Sequence, residues 1–233
     1  MTYPTLILLP GMDGTGLLFE PFLAALGGEF DVEVVRYPAD KPLNYAELEV
    51  IARAAIPPDG PVILLGESFS GPIAVSLAAS MGSRVAGLLL CCSFVRNPLP
   101  ALSGLRGLVD ALPVARIPVR LLSYFLLGKF SSSAQRAALA AALSGVIPEV
   151  MRERMRAALS VDVSAKLGQL KIPLLYMQAT RDRVVPHTAA DLVMTLAPHT
   201  RKFEFDAPHL LLQTVPQEAV RVVVDFVHAR NDA

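Results

Sequence analysis

Apolar positions along this chain alternate between short unbroken runs and stripes at helical spacing. Leu6-Ile7-Leu8-Leu9 is such a run and predicts a strand buried on both faces. Val32 to Tyr37 predicts a second strand, Val62-Ile63-Leu64-Leu65 a third, and Val85 to Phe94 a fourth. Ile172 to Gln178 predicts a fifth, and the more polar Arg201-Lys202-Phe203-Glu204-Phe205 a sixth near the sheet edge. Between them lie helical stripes: Phe19, Phe22, Leu23 and Leu26; Leu48, Ile51, Ala52 and Ala55; Ile73, Ala74, Leu77, Ala78 and Met81; Leu192, Val193 and Leu196; Val220, Val223, Val224 and Val227. Strands that alternate with helices predict the α/β class, here a mostly parallel sheet of six strands with helices on both faces.

The interval from Asn97 to Lys166 breaks this rhythm. It holds five prolines and several helical patterns but no convincing strand. Ser132 with Gln135 suits a capping box before the run Ala137 to Leu143, and Pro148-Glu149 suits a further helix start. Long structureless loops are uncommon, so the interval reads as a helical cap, 97–166, inserted into a core of 1–96 and 167–233.

Strand-to-helix turns are where α/β sheets carry chemistry, and one here stands out. After Val62 to Leu65 comes Gly66-Glu67-Ser68-Phe69-Ser70-Gly71, and then a helical stripe. A serine at a sharp bend between strand and helix is the context of a nucleophile elbow, in which small neighbours two positions either side let the elements approach. Gly66 is one such neighbour, and Ser70 stands where the pattern G-x-S-x-G has its second glycine. With Ser70 as nucleophile the flanks would be Ser68 and Pro72, a poorer fit, so Ser68 is preferred. A serine-rich turn without chemistry is the plain alternative.

Composition narrows the class. Of 233 residues, 53% are apolar and 18% charged, which excludes a disordered chain. The net charge is zero, so whole-chain charge gives no basis for nucleic-acid binding. Cys91 and Cys92 are adjacent in an apolar run and make no disulfide framework, and no metal-ligand cluster is evident. No signal-peptide pattern or transmembrane run appears, so a cytoplasmic protein is expected. Charge is unevenly placed: the 97–166 interval has nine Lys/Arg against four acids, and the remainder 12 against 17. Such a basic cap would suit an acidic partner or anionic substrate, or an ordinary solvated helical face.

A nucleophilic serine needs a base and an acid that orients it. Among four histidines, His209 directly follows a predicted strand, in a loop with Pro208; His187, His199 and His228 sit in or beside predicted helices. Asp182 follows the fifth strand and precedes the histidine; its alternative role is a helix cap or turn former. Asp206 is the rival, but lies so near His209 in sequence that it would struggle to reach the far ring nitrogen.

The order Ser68, Asp182, His209 is that of the α/β-hydrolase arrangement. The chain resembles that superfamily, of the serine esterase type, through Pro10-Gly11-Met12, the elbow Gly66 to Gly71, Asp182 with Val185-Pro186, and Pro208-His209. The resemblance implies oxyanion donors at the backbone N–H groups of Met12 and Phe69, and no cofactor or metal. Leu9-Pro10-Gly11-Met12-Asp13-Gly14-Thr15-Gly16 is similar to the hydrolase portion of phytyl ester synthases, and the small capped form to pimeloyl carrier-protein methyl ester esterases. The expected activity is hydrolysis of small-molecule carboxylic esters with an apolar acyl group. Alternatives are a thioesterase or acyltransferase acting on carrier-protein or CoA acyl groups, haloperoxidase-like or C–C bond hydrolysis, or a hydrolase-fold binding protein without turnover. By this reading an acidic carrier protein docks on the cap through Arg152, Arg154 and Arg156, and Leu105, Leu108, Leu121, Leu122, Phe125, Leu126 and Met155 are candidates for an acyl pocket.

Overall fold

A computed structural model describes residues 4–229, without the side chains at 102, 103, 105, 106 and 108. The expected acyl-pocket residues Leu105 and Leu108 therefore lie outside the described side chains. The chain begins with β1 (Thr5–Leu9), α1 (Glu20–Leu26), β2 (Val32–Val34), α2 (Tyr45–Ala55), β3 (Val62–Glu67), α3 (Gly71–Met81) and β4 (Val85–Cys91). There follow α4 (Val119–Leu126), α5 (Ser133–Ser144), α6 (Pro148–Ala158) and α7 (Ser164–Gln169). The chain ends with β5 (Leu174–Ala179), α8 (Thr188–Leu196), β6 (Arg201–Phe205), α9 (Leu211–Thr214) and α10 (Pro216–His228).

Six strands form one sheet in the order β2-β1-β3-β4-β5-β6, and every described pairing is parallel. A parallel strand in the middle of such a sheet is covered on both faces, which accounts for the unbroken apolar runs. All six residues of β3 are buried. One face packs Leu64, Ile73 and Leu77 into a core that includes α3; the other packs Ile63 and Leu65 with Phe22, Val223 and Phe226 of α1 and α10. β6 is an edge strand, with four of its five residues exposed and Lys202 paired to Glu204 at 2.7 Å. The second strand is shorter than its apolar run: beyond Val34 the Val35 N–H still donates to the Leu8 carbonyl at 2.9 Å, and the Tyr37 N–H then donates to the Gly14 carbonyl in the loop after β1 at 2.8 Å.

Between β4 and β5 the described chain forms helices and 3-10 turns. Its two ends are pinned together: the Val163 N–H donates to Val95, the Asn97 N–H to Val161, and Arg96 bridges Asp162. The Ser132–Gln135 capping box opens α5, and a second box, Asn44 with Glu47, opens α2. An inner cluster of Leu18, Leu127, Leu139, Ala142 and Leu210 joins these helices to the sheet's loops.

Candidate active site

Parallel strands bring their carboxyl ends to one edge, and the turns after β1, β3, β4, β5 and β6 gather there. At the end of β3, Ser68 has φ 48°, a left-handed conformation in a non-glycine residue. Such a residue costs on the order of 1–3 kcal/mol and persists only where neighbours hold it. Here the Ser93 hydroxyl donates to the Ser68 carbonyl, and the Tyr176 hydroxyl donates to the Ser93 carbonyl at 2.6 Å.

The close approach of strand and helix falls at Gly66, where the motif has its first glycine: a Cβ there would lie 2.9 Å from Ala74 Cβ and 3.0 Å from Gly71 Cα. A Cβ on Gly71 would lie 1.9 Å from Ser93 Oγ, so position 71 requires glycine. Ser70 does more than keep the turn small. It is fully buried; its hydroxyl donates to the Pro10 carbonyl and accepts from Tyr37 at 2.9 Å. That hydroxyl ties the elbow to the loop after β1.

The structure brings Ser68, His209 and Asp182 into one hydrogen-bonded chain. His209 Nδ1 lies 2.8 Å from Asp182 Oδ2, and His209 Nε2 lies 2.8 Å from Ser68 Oγ. A neutral ring that donates from Nδ1 to a carboxylate leaves Nε2 unprotonated, free to accept the serine proton. Both expected roles of Asp182 occur together. Oδ1 accepts the Val184 and Val185 N–H groups at 2.7 and 2.9 Å and shapes the turn, while Oδ2 faces the ring. Asp206 is exposed and paired with Arg181. His199 bonds the Ile172 carbonyl, and His187 precedes α8 without capping it through its side chain.

Electrostatics at the site are set by burial. Burial depresses the His209 pKa, but Asp182 beside it and Glu67 beyond outweigh this, leaving it raised. Glu67, the residue before the serine, is itself buried, and desolvation lifts its pKa to about 7 against bonds from Gln213 and the Gly11 N–H. Gln213 Nε2 donates to Glu67 Oε1 at 2.9 Å.

Of the two expected oxyanion donors, Met12 lies in the loop after β1 and Phe69 directly follows Ser68. Their carbonyls are committed. Tyr45 donates to the Phe69 carbonyl at 2.9 Å and stacks on its ring at 4.6 Å. Arg154, on α6, is 1% exposed and donates from Nη1 to the carbonyls of Met12 and Asp13 at 2.8 and 2.7 Å. Its Nη2 donates to Pro38 at 2.9 Å. Gly14, at φ 72°, leaves room for that guanidinium; a Cβ there would lie 2.6 Å from Nη1.

This corrects the expectation for the basic residues. Arg154 is internal, Arg152 pairs with Glu149 and Arg156 with Glu153 and Asp110, so the trio presents little free charge to a partner. Leu121 and Phe125, expected in an acyl pocket, are 49% and 45% exposed, whereas Leu122 and Leu126 pack inward beside Leu18 and Leu210.

Among the described residues, Cys92, Asp182 and His209 are the one group of potential metal ligands within 4.8 Å of one another. The Asp182–His209 bond occupies two of them, and burial raises the pKa of the Cys92 thiol, so the trio as folded presents no open ligand set.

The sequence pattern described as "Alpha/beta hydrolase family" matches residues 6–222. The chain belongs to that family. It is similar to phytyl ester synthase 1, chloroplastic, of Arabidopsis thaliana, 38% identical over 108 residues. That match covers 42% of this chain but only 15% of the plant protein. It is similar to a pimeloyl-[acyl-carrier protein] methyl ester esterase of Serratia marcescens, 28% identical over 200 residues, covering 80% of this chain and 77% of that one. Among solved structures, the enol-lactonase of Burkholderia xenovorans superposes with TM-score 0.82 at 18% identity, covering 98% of this chain and 92% of that one. In this hydrolase, sequence reading missed Glu67, Ser93, Tyr176 and Gln213, and took the internal Arg154 for a surface charge. Glu67 lay inside the elbow motif; the rest carry no local signal.

Proposed function

We propose that the protein is a serine carboxylic-ester hydrolase acting through an acyl-enzyme on Ser68. The observation that carries the reading is the continuous chain Ser68 Oγ, His209 Nε2, His209 Nδ1, Asp182 Oδ2, with both links at 2.8 Å. In this mechanism His209 takes the Ser68 proton as Oγ bonds to the acyl carbonyl carbon. Negative charge gathers on the carbonyl oxygen, and the N–H groups of Met12 and Phe69 hold it; each such donor contributes about 3 kcal/mol to the transition state. The imidazolium then protonates the leaving alcohol as the C–O bond breaks. Water, deprotonated by the same ring, attacks the acyl-enzyme, and the acid departs with Ser68 reprotonated.

The helices between β4 and β5 act in this proposal as a cap, and Leu122 and Leu126 offer the acyl chain an apolar wall beside Leu210. A second reading, hydrolysis of acyl groups carried on an acidic carrier protein, draws on the Serratia relative. Nitrophenyl esters of graded chain length, assayed beside acyl thioesters, decide between them. The proposal expects ester turnover that vanishes in Ser68→Ala. Turnover confined to carrier-linked substrates favours the second reading, and ester turnover that persists in folded Ser68→Ala overturns the serine mechanism.

A further inference from the structure

Helix α4 is apolar on two faces. Val119, Leu122 and Leu126 pack inward on Leu18, Leu139 and Leu210, and the Leu210 N–H donates to the Leu126 carbonyl at 3.0 Å. The inner face thus rests on the residue next to His209. The outer face carries Leu121, Tyr124 and Phe125, spaced i, i+3 and i+4, which are 49%, 57% and 45% exposed. Three large apolar groups turned to water on one short helix mark a surface that meets something apolar.

The surrounding charge says what. Arg116, Arg120 and Lys129 are exposed and make no ion pair with a described residue. Arg183 lies over the Tyr124 ring at 4.4 Å and bonds the Tyr124 carbonyl. Asp206, the acid that feels Lys129, is already paired with Arg181. From residue 111 to 148 the sequence has four Lys/Arg and no Asp or Glu.

We propose that α4 docks this protein on an anionic lipid surface, with Leu121, Tyr124 and Phe125 in the acyl boundary and Arg116, Arg120 and Lys129 among the headgroups. This rests on the esterase reading above and deepens it: the substrate is a lipid-soluble ester that enters from the membrane surface beside His209. Apolar side chains set between basic ones are the composition of interfacial helices. The basic groups alone would also suit an acidic protein; the three large apolar side chains set among them favour a lipid surface, which takes both. The uneven charge of the whole chain, basic over 97–166 and acidic elsewhere, turns the α4 side toward an anionic surface.

Co-sedimentation with vesicles tests it, using phosphatidylcholine alone and phosphatidylcholine with phosphatidylglycerol in equal parts. The Ser68→Ala protein is expected to bind the anionic vesicles and to be released by salt. Each arginine reversed in Arg116→Glu, Arg120→Glu should lower partitioning about fivefold or more. Leu121→Ser with Phe125→Ser should lower it about tenfold or more, since each buried methylene contributes. In the Ser68-containing protein these four surface changes should leave turnover of a short, water-soluble nitrophenyl ester unchanged. Failure to sediment with anionic vesicles, or sedimentation indifferent to both pairs of changes, overturns the proposal. Saturable binding of an acidic carrier protein through the same side chains, without vesicle binding, assigns the face to a protein and also overturns it. Loss of soluble-ester turnover in the unaltered protein would sink the esterase reading whatever the vesicles show.

Discussion

Arg154 holds the Met12 carbonyl at 2.8 Å across 142 positions of sequence, so a buried side chain of α6 fixes the loop after β1. Three carbonyls take its hydrogen bonds and water is excluded. Arg154→Ala would leave those carbonyls unpaired and open a cavity beside Gly14. Each unsatisfied buried group costs about 1–3 kcal/mol, so the variant should lose several kcal/mol of stability. Urea unfolding checks this; a loss under about 1 kcal/mol would mean the clamp is energetically idle. Activity of the folded fraction should also fall, because the loop that carries the Met12 N–H loses its anchor.

The elbow gives a second expectation, with two neighbouring residues acting by different routes. Ser70→Gly removes the hydroxyl that joins Pro10 to Tyr37 and should cost about 1–3 kcal/mol while leaving Ser68 in place. Gly71→Ala drives a methyl into Ser93 Oγ and should disturb the hydrogen bond that Ser93 gives Ser68. Thermal midpoints beside ester turnover separate them. Ser70→Gly should retain more turnover per folded molecule than Gly71→Ala, and the reverse order would contradict the steric assignment.

Glu67 supplies a pH-dependent pair of outcomes. Its pKa is raised from the ordinary value of 4.5 to about 7 by burial, so the folded state favours the proton. The stability this group contributes is fully present below pH 4.5 and is lost as pH rises through 7. Glu67→Gln lacks that loss. Between pH 5 and pH 8 its stability should therefore fall less than the parent's, by up to about 3 kcal/mol. Parallel stability profiles for the two proteins would refute the shift.

In the proposed mechanism His209 sets the acid limb of activity. Its raised pKa means kcat/KM should climb with pH through a value above 6.5, as the ring becomes neutral. Part of that rise comes from Glu67, so Glu67→Gln should move the limb to lower pH. A limb unmoved by Glu67→Gln would mean the carboxylate does not sense His209, and a flat profile from pH 5 to 9 would remove histidine as the base.

Much of this was legible because it is local. The runs that became β1, β3 and β5 announce themselves by unbroken burial, and the capping box at Ser132 by two residues. Ser68, Asp182 and His209 could be named from strand ends and chain order, and they meet in the structure. What escaped is long-range. Nothing around Arg154 distinguishes it from Arg152 or Arg156, and only the packing of α6 on the loop after β1 turns it inward. Glu67 reads as filler between Gly66 and Ser68, yet its place in the central strand buries it. Ser70 was legible as small but not as a bridge, since its partners lie 60 and 33 positions away. The outward turn of Leu121 and Phe125 was likewise hidden, because α4 is apolar nearly all round.

The central claim is that Ser68 Oγ becomes acylated. Intact-protein mass spectrometry, after rapid mixing with a nitrophenyl ester and acid quench, measures this directly. The account predicts a transient mass increase of one acyl group, located by peptide mapping on Ser68, absent in Ser68→Ala and slow to clear in His209→Ala. Ester turnover with no acyl adduct at any quench time, or an adduct that survives in Ser68→Ala, would contradict it.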